Sequence, residues 1–409
     1  MQTQIEPHIL ATLTGQRAND ILRKCVHCGF CTATCPTYQL LGDELDGPRG
    51  RIYQVKQILE GGVPDREIMT HFDRCLTCRS CETTCPSGVN YAELMDIGRL
   101  YVEQENIRPL AQSLFRRLLG TVLPYPNRNA LLFKFVSLIR PLLSHKLQLK
   151  APIIRKLASY KSFSTDNQKN VLLLEGCVQS TLSPNTNNAA QAVLSALGYR
   201  VIREPSIACC GAVNHHLSQT AATEQLVENN LKKWSRIHQQ SPIHAIVSTA
   251  SGCGIMLKDY QKLLQAQPEK IEQHASLLEK IKDISELLSA SSLLEKIKNF
   301  TPENKPVTLH APCTLSHGHK LADHLYNELS RLGYQLKTPM NAHLCCGSAG
   351  TYSLLQPKLS QQLREQKLSA LQATDPEIII TANVGCEHHL NSASNTPVIH
   401  WVELVAANL

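Results

Sequence analysis

Sixteen cysteines carry the chemistry of this 409-residue chain, and eight of them stand in one pattern written twice. The first run is Cys25-x-x-Cys28-x-x-Cys31-x-x-x-Cys35-Pro36; the second is Cys75-x-x-Cys78-x-x-Cys81-x-x-x-Cys85-Pro86. Three thiolates on one tight turn of backbone can reach three corners of a cubane. The fourth, set off by three residues and followed by proline, points away from that cube, and where two such runs share a domain it serves the other one. The spacing therefore predicts two [4Fe–4S] clusters. One is expected on Cys25, Cys28, Cys31 and Cys85, the other on Cys75, Cys78, Cys81 and Cys35. Zinc sites use two cysteine pairs across a longer loop and four ligands in all, a poor match to this spacing. Two clusters sharing ligands across a pseudo-twofold axis lie close together and make a short electron relay.

The other eight cysteines form two further sets, Cys177, Cys209, Cys210 and Cys253, then Cys313, Cys345, Cys346 and Cys386. Each set holds an adjacent Cys-Cys-Gly, and in both, thirty-one residues separate the first cysteine from the pair. Loop insertions would not preserve that distance, so residues 170–409 read as two copies of one unit. Adjacent thiols are awkward on one cubane and suit bridging two irons of an irregular centre, with glycine letting the backbone approach. The alternatives are ordinary iron–sulfur centres, zinc, a thiol pair, or buried free cysteines. His215, His216, His343, His388 and His389 lie near these cysteines in sequence and are candidate ligands or proton carriers.

The elements that must position these residues follow from periodicity. Residues 1–20 read as a lead-in helix. Ile52, Val55, Ile58 and Leu59 have helical spacing and stop at Gly61-Gly62, and Tyr91 to Glu105 reads as a closing helix. Between the two runs, Asp46-Gly47-Pro48-Arg49-Gly50-Arg51 puts two arginines in a turn. They could offset cluster charge, meet an acidic partner, or simply lead into the helix. Copy one has strands at 171–176 and 245–249, a helix at Asn188 to Leu197 and a long helix to about Trp234. Copy two repeats this with strands at 307–310 and 377–381 and a helix to Leu332. Alternating strands and helices imply a small parallel sheet in each copy, with cysteines after strand ends. Ser276-Leu-Leu-Glu-Lys-Ile-Lys282 recurs as Ser292-Leu-Leu-Glu-Lys-Ile-Lys298 between the copies and reads as helical spacing.

No acidic residue lies between Glu105 and Asp166, while Arg108, Arg116, Arg117, Arg128, Lys134, Arg140, Lys146, Lys150, Arg155, Lys156 and Lys161 do. Leu110, Leu114, Phe115, Leu118 and Val122 share one helical face, with Arg116 and Arg117 opposite. Ala130 to Leu143 is apolar on nearly all sides. Such a segment suits an anionic membrane surface or an acidic partner; the plainer alternative is a linker packed between domains with its charges in water. The expected organisation is mixed: a two-cluster helical domain at 1–105, a basic helical linker at 106–168, and α/β cysteine-rich domains at 169–300 (with a helical extension) and 301–409.

Composition narrows the function classes. Hydrophobic content of 43% and charged content of 18% read as globular. The first ten residues lack the basic start and apolar run of a secretory signal, and no window reaches a membrane span. Cysteines patterned for metal without such a signal predict a reducing, cytoplasmic setting. A net charge of +7, aromatics at 5% and no basic–aromatic interleaving argue against nucleic acid as a partner. No G-x-G-x-x-G follows a strand, and Gly347-Ser-Ala-Gly350 has the wrong spacing, so neither FAD nor NAD is expected on this chain.

The doubled run, followed by two Cys…Cys-Cys-Gly…Gly-Cys units, resembles the iron–sulfur subunits of glycolate oxidase (glycolate dehydrogenase) over essentially the whole chain, including Gly47-Pro48-Arg49-Gly50-Arg51. The iron–sulfur subunit of anaerobic glycerol-3-phosphate dehydrogenase and the cysteine-rich subunits of heterodisulfide reductase share the same parts. The resemblance implies a ferredoxin-type domain followed by a tandem of Cys-Cys-Gly domains. It also implies FAD-containing partner subunits that oxidise glycolate to glyoxylate, and passage of electrons to a membrane quinone or another acceptor. A place on the cytoplasmic face of the inner membrane goes with it. Lactate and glycerol 3-phosphate are the alternative substrates of such a complex. In heterodisulfide reductase each unit ends in C-x-x-C; here the earlier cysteine of that pair is Ala250 in copy one and Asn383 in copy two. That argues against a self-contained disulfide-reducing enzyme, and leaves an ordinary cluster, zinc or no metal for each unit. A redox sensor or scaffold would not need two linked clusters and two further units.

Overall fold

Cap chemistry and helical apolar spacing build the N-terminal part of the chain. A computed structural model describes residues 1–142, 157–163, 169–207 and 209–409. They group into one body of residues 1–118, 216–218 and 343–367 and a second of residues 119–215, 219–342 and 368–409. In the first body, the Thr12 hydroxyl accepts from the Gly15 N–H and opens helix Leu13–Lys24, whose Ala18, Ile21 and Leu22 turn inward. Asp65 accepts from the N–H groups of Glu67 and Ile68 and opens helix Arg66–Asp73. Helix Pro48–Leu59 starts on a proline, where the missing N–H costs nothing. Its Ile52, Val55, Ile58 and Leu59 are buried with Leu94 and Met95 of helix Tyr91–Gln104. Each such side chain contributes about 1.5–3 kcal/mol. The two helices cross at Gly98, where an added Cβ would stand 2.6 Å from Val55 Cγ2.

The second body holds two four-stranded parallel sheets. The first runs β2-β1-β3-β4, with β1 Lys169–Leu174, β2 Tyr199–Arg203, β3 Ile243–Ser248 and β4 Ile281–Asp283. The second runs β6-β5-β7-β8, with β5 Val307–His310, β6 Leu336–Lys337, β7 Ile378–Thr381 and β8 Val398–His400. Corresponding strands hold corresponding places, the physical form of the sequence repeat. In register, Val171 pairs with Val201 on one side and Ala245 on the other. Alternate residues of β1 serve opposite faces. Val171 and Leu173 join Ala245, Val247 and helix Pro184–Ala196 in a core shared with Val307, Leu309, Ile380 and Trp401. Leu172 and Ile246 face Trp234 and Tyr260. Burial on both faces explains why these strands read as unbroken apolar runs.

Several details differ from expectation. The helix expected from Asn188 starts at Pro184, and the one expected to end near Trp234 runs over Thr220–Gln240. Four outer strands, β2, β4, β6 and β8, were not foreseen; the shortest spans two residues and carries little pattern. The repeated heptapeptide takes two conformations. Ser276–Lys282 finishes helix Pro268–Leu278 and enters β4, while Ser292–Lys298 lies largely in helix Ala290–Lys296. The edge of β3 recruits the first copy, and local propensity yields to that pairing.

The basic stretch forms helices Leu110–Val122 and Pro126–Ile139, with Arg117, Arg128 and Lys134 exposed. Arg108 and Arg116 are buried and paired with Asp73 and Glu103. Leu110, Leu114, Phe115 and Leu118 point outward instead, Leu110 at 82% exposure. In the second body, the Asn129 side chain donates to the Leu123 and Cys177 carbonyls and anchors helix Pro126–Ile139. That helix leaves Leu131, Leu132, Phe135 and Leu138 exposed. Lys146, Lys150, Arg155 and Lys156 lie outside the described residues. Among the described residues, no helix is long and apolar enough to cross a membrane.

Candidate metal centres

The two cysteine runs fold into the same turn. In the first, His27 and Gly29 have positive φ (56° and 85°); in the second, Thr77 and Arg79 do (52° and 61°). These are equivalent positions, each one residue from the central cysteine. A β-branched residue such as Thr77 rarely adopts this conformation, so the surrounding structure must hold it. The reversals curl each loop around its thiols. Thr34 and Thr84, which precede Cys35 and Cys85, touch each other through their hydroxyls at 3.0 Å. Residues at the same position of a repeat meet only near the axis that relates the copies. That axis lets the fourth cysteine of each run reach the other loop. Cys31 accordingly feels Cys25, Cys28 and Cys85, and Cys81 feels Cys75, Cys78 and Cys35.

These sets fit a [4Fe–4S] cluster by the chemistry of their donors, four thiols each from two loops. Cys25, Cys28, Cys31 and Cys85 line one pocket partly open to solvent, which Cys81 of the other set also lines. Cys28 is exposed, Cys25 buried, Cys31 and Cys85 half-buried. Burial pushes the Cys31 thiol up to about 11, and the Cys25 thiol is also raised, chiefly by burial. Cys81 is raised strongly by burial and by neighbouring sulfurs. Thiols held this way are poor thiolates until a cation replaces their protons.

Cys75 differs. Burial works to raise its thiol, yet Arg51, Arg99, the Thr77 N–H and the Tyr91 hydroxyl together lower it. The Thr77 N–H donates to Cys75 Sγ at 3.4 Å and the Tyr91 hydroxyl at 3.8 Å. Arg99 donates to the Cys75 carbonyl at 2.8 Å and to the Thr77 hydroxyl at 2.9 Å. Arg51 is 1% exposed. It donates to the His71 carbonyl (2.8 Å), the Thr37 hydroxyl (3.2 Å) and Asp46 (3.2 Å). Asp46, fully buried, also takes Arg74 at 2.7 Å and lies 3.0 Å from His71 Nδ1. The Thr37 hydroxyl is 3.3 Å from Cys35 Sγ. The two arginines expected in a turn lie instead in helix Pro48–Leu59, where Arg51 faces inward to Cys35 and Cys75 and Arg49 is half-buried against Glu44. Arg99, Tyr91 and Thr37 carried no sequence signal, because they reach the sulfurs through tertiary packing.

In the first Cys-Cys-Gly unit the four thiols meet: Cys209 contacts Cys177 and Cys210, and Cys253 contacts Cys210. Gly211, at φ 93°, donates its N–H to Cys209 Sγ at 3.3 Å. Asn230 donates to the Cys209 carbonyl and the Tyr260 hydroxyl to the Cys210 carbonyl, fixing the pair. Gly347 repeats the turn, with φ 85° and its N–H 3.4 Å from Cys345 Sγ. Cys345 and Cys346 belong to the first body, where Tyr352 is buried beside Cys345 and Cys75. Cys313 and Cys386 belong to the second. There, Cys386 Sγ lies within 4.8 Å of a His310 ring nitrogen and takes the Asn383 amide at 3.5 Å. Copy one has Leu174 and Ala250 at those places, so the two units differ chemically. His310 is a buried candidate ligand that sequence reading missed; its place at the end of β5, three residues before Cys313, was the available hint. Of the histidines flagged by sequence, His388 is bonded to the Ser183 hydroxyl at 2.8 Å. His343 is half-buried and lowered by that burial and by Lys367. His215 and His216 end a short helix, and His389 lies in helix Val384–Asn391.

Comparison with known proteins agrees with this division. A 4Fe-4S dicluster domain model matches residues 21–89, and a cysteine-rich domain model matches 171–258 and 307–391. The chain is 45% identical to the glycolate oxidase iron-sulfur subunit of Escherichia coli (strain K12), covering 99% of this chain and 98% of that one. It is 30% identical to the probable glycolate oxidase iron-sulfur subunit of Bacillus subtilis (strain 168), over 89% and 87%. It is 23% identical to a subunit of the dihydromethanophenazine:CoB–CoM heterodisulfide reductase of Methanosarcina mazei, over 95% and 94%.

Proposed function

The chain belongs to the family of glycolate oxidase iron–sulfur subunits, and on that premise we propose that it is the electron-transfer subunit of a flavin-dependent dehydrogenase acting on glycolate. The observation that carries the reading is the pair of thiol sets built around the Thr34–Thr84 contact. Cys25, Cys28, Cys31 and Cys85 would hold one [4Fe–4S] cluster, and Cys75, Cys78, Cys81 and Cys35 the second. When bound, such a cluster accepts and releases one electron at a time. The hydroxy acid would be oxidised at FAD on a separate subunit, and electrons would leave towards a membrane quinone.

The chain's own residues supply the setting. Left-handed residues in the loops fix the thiols before iron arrives. Arg51, held charged against Asp46, and Arg99 offset negative charge near Cys75 and Cys35. The first Cys-Cys-Gly set, Cys177, Cys209, Cys210 and Cys253, is a candidate for a further iron–sulfur centre or zinc. Helices Leu110–Val122 and Pro126–Ile139 each expose leucine and phenylalanine, together with Arg117 on one and Lys134 on the other, in a stretch free of carboxylates. That chemistry suits peripheral contact with an anionic lipid surface.

The test is the complex carrying Cys31→Ser or Cys81→Ser. Substrate should still bleach the partner's flavin absorbance, while reduction of an external quinone stops. Undiminished quinone reduction by both variants would overturn the reading.

A further inference from the structure

The two thiol sets share a backbone but not an environment. Around Cys75 and Cys35 the protein has buried its charges. Arg51 is 1% exposed and Arg99 grips the Cys75 carbonyl. Asp46 is shared by Arg51 and Arg74, and Arg99 lies 3.9 Å from Asp96; Glu82, which bears on Cys81, is the third carboxylate nearby. Two donors point at Cys75 Sγ itself, the Thr77 N–H and the Tyr91 hydroxyl; the backbone of His27 serves Cys25 as Thr77 serves Cys75, so the Tyr91 hydroxyl is the donor that distinguishes this set. Thr37 adds a hydroxyl beside Cys35 Sγ.

Around Cys25, Cys28 and Cys31 the cations are only half-buried. Arg49 is paired with Glu44, with their side chains 37% and 40% exposed. The N-terminal ammonium donates to the Cys25 carbonyl at 2.7 Å from a half-buried position. Charges in water are screened by a dielectric of about 80, and those within a protein by roughly 20. Hydration at the exposed Cys28 also favours added negative charge. The half-buried Cys31 and Cys85 gain part of it and the buried Cys25 little, whereas buried guanidinium groups act at about a quarter of water's screening.

We infer that Arg51, Arg99 and Tyr91 make the Cys75–Cys78–Cys81–Cys35 site the one of higher reduction potential, where a single electron added to the protein settles first. Hydrogen bonds to sulfur and local charge are the protein's means of setting such potentials. The inference rests on the two-cluster reading and adds an order to it. These residues are positioning residues, and none is a metal ligand.

The experiment is a potentiometric titration with dithionite, followed by EPR, on the anaerobically purified full chain. Two one-electron steps are expected. Tyr91→Phe, which keeps the ring and removes one donor, should lower the more positive step and leave the other in place. Arg99→Met should lower the same step further, and Arg99→Lys should recover part of the shift. Arg49→Met should move only the more negative step. If Tyr91→Phe and Arg99→Met move the more negative step, or the two steps coincide in the wild type, the inference is overturned while two clusters remain. If no iron–sulfur signal appears at all, the functional reading itself has failed.

Discussion

Replacing Asp46 by alanine should loosen helix Pro48–Leu59 more than any change at the surface of the first body. The Asp46 carboxylate is fully buried and faces the Arg51 guanidinium, 1% exposed, and Arg74, whose side chain is 31% exposed. Losing the carboxylate strands the Arg51 charge out of water, which costs about 3–5 kcal/mol. Arg74 can turn to solvent, so its lost pair adds about 0–1 kcal/mol. Together these losses come to about 3–6 kcal/mol, which at 1.4 kcal/mol per tenfold raises the open population between roughly a hundredfold and about twenty thousandfold. Native-state hydrogen exchange with mass spectrometry reads this directly, as faster exchange of the amides in that helix. The double variant Asp46→Leu/Arg51→Met should regain most of the protection, because an apolar pair of similar volume is near neutral. Exchange in Asp46→Ala within a few-fold of wild type would refute the reasoning, as would a double variant no better protected than the single one.

Other expectations concern the second body and the basic helices. Trp234 and Trp401 are both buried there, so urea unfolding followed by tryptophan fluorescence reports on it. Burial pushes the Asp283 carboxyl up to about 6. A raised acid destabilises the fold once it ionises, with no penalty below about pH 4 and the full penalty above pH 6. Asp283→Asn should therefore gain about 3 kcal/mol at pH 8 and nothing at pH 4; equal gains at both would exclude ionisation as the cause. Burial lowers His400 to about 4, while its Nε2 bonds the Thr249 carbonyl and its Nδ1 accepts from Val402. A depressed base contributes stability above about pH 6.5 that is lost as pH falls to 4, about 3 kcal/mol in all. His400→Asn should flatten that acid limb, and an unchanged limb would assign it elsewhere. Vesicles rich in anionic lipid should sediment the protein, zwitterionic vesicles should not, and Leu114→Asp with Phe135→Asp should abolish binding; sedimentation unaffected by that pair would exclude these helices.

What the sequence revealed was what depends on spacing. The 2-2-3 cysteine runs, the matched thirty-one-residue intervals and the apolar strand runs all survive folding, because ligand reach and burial act along the chain. What it hid depends on partners far away in sequence. Tyr91 and Arg99 approach Cys75 from the next helix but one, and no local pattern records that. Thr77 and Arg79 adopt left-handed backbone without glycine, and only the parallel with Gly29 hinted at it. The helical wheel of Leu110–Val122 gave two faces but not which one turns inward. Asp73 and Glu103 decide that by claiming Arg108 and Arg116, which leaves the leucines outside. The outer strands β4 and β8 are too short to show periodicity, and one of two identical heptapeptides enters β4 because the edge of β3 is there to pair with it.

The central claim is that two [4Fe–4S] clusters sit together on the paired cysteine runs. Iron and zinc content per chain, with EPR after reduction of anaerobically purified protein, tests it most directly. The account predicts about eight irons or more per chain and a spectrum showing magnetic interaction between two reduced clusters. Zinc in place of iron, or a single cluster whose EPR shows no second spin, would contradict it.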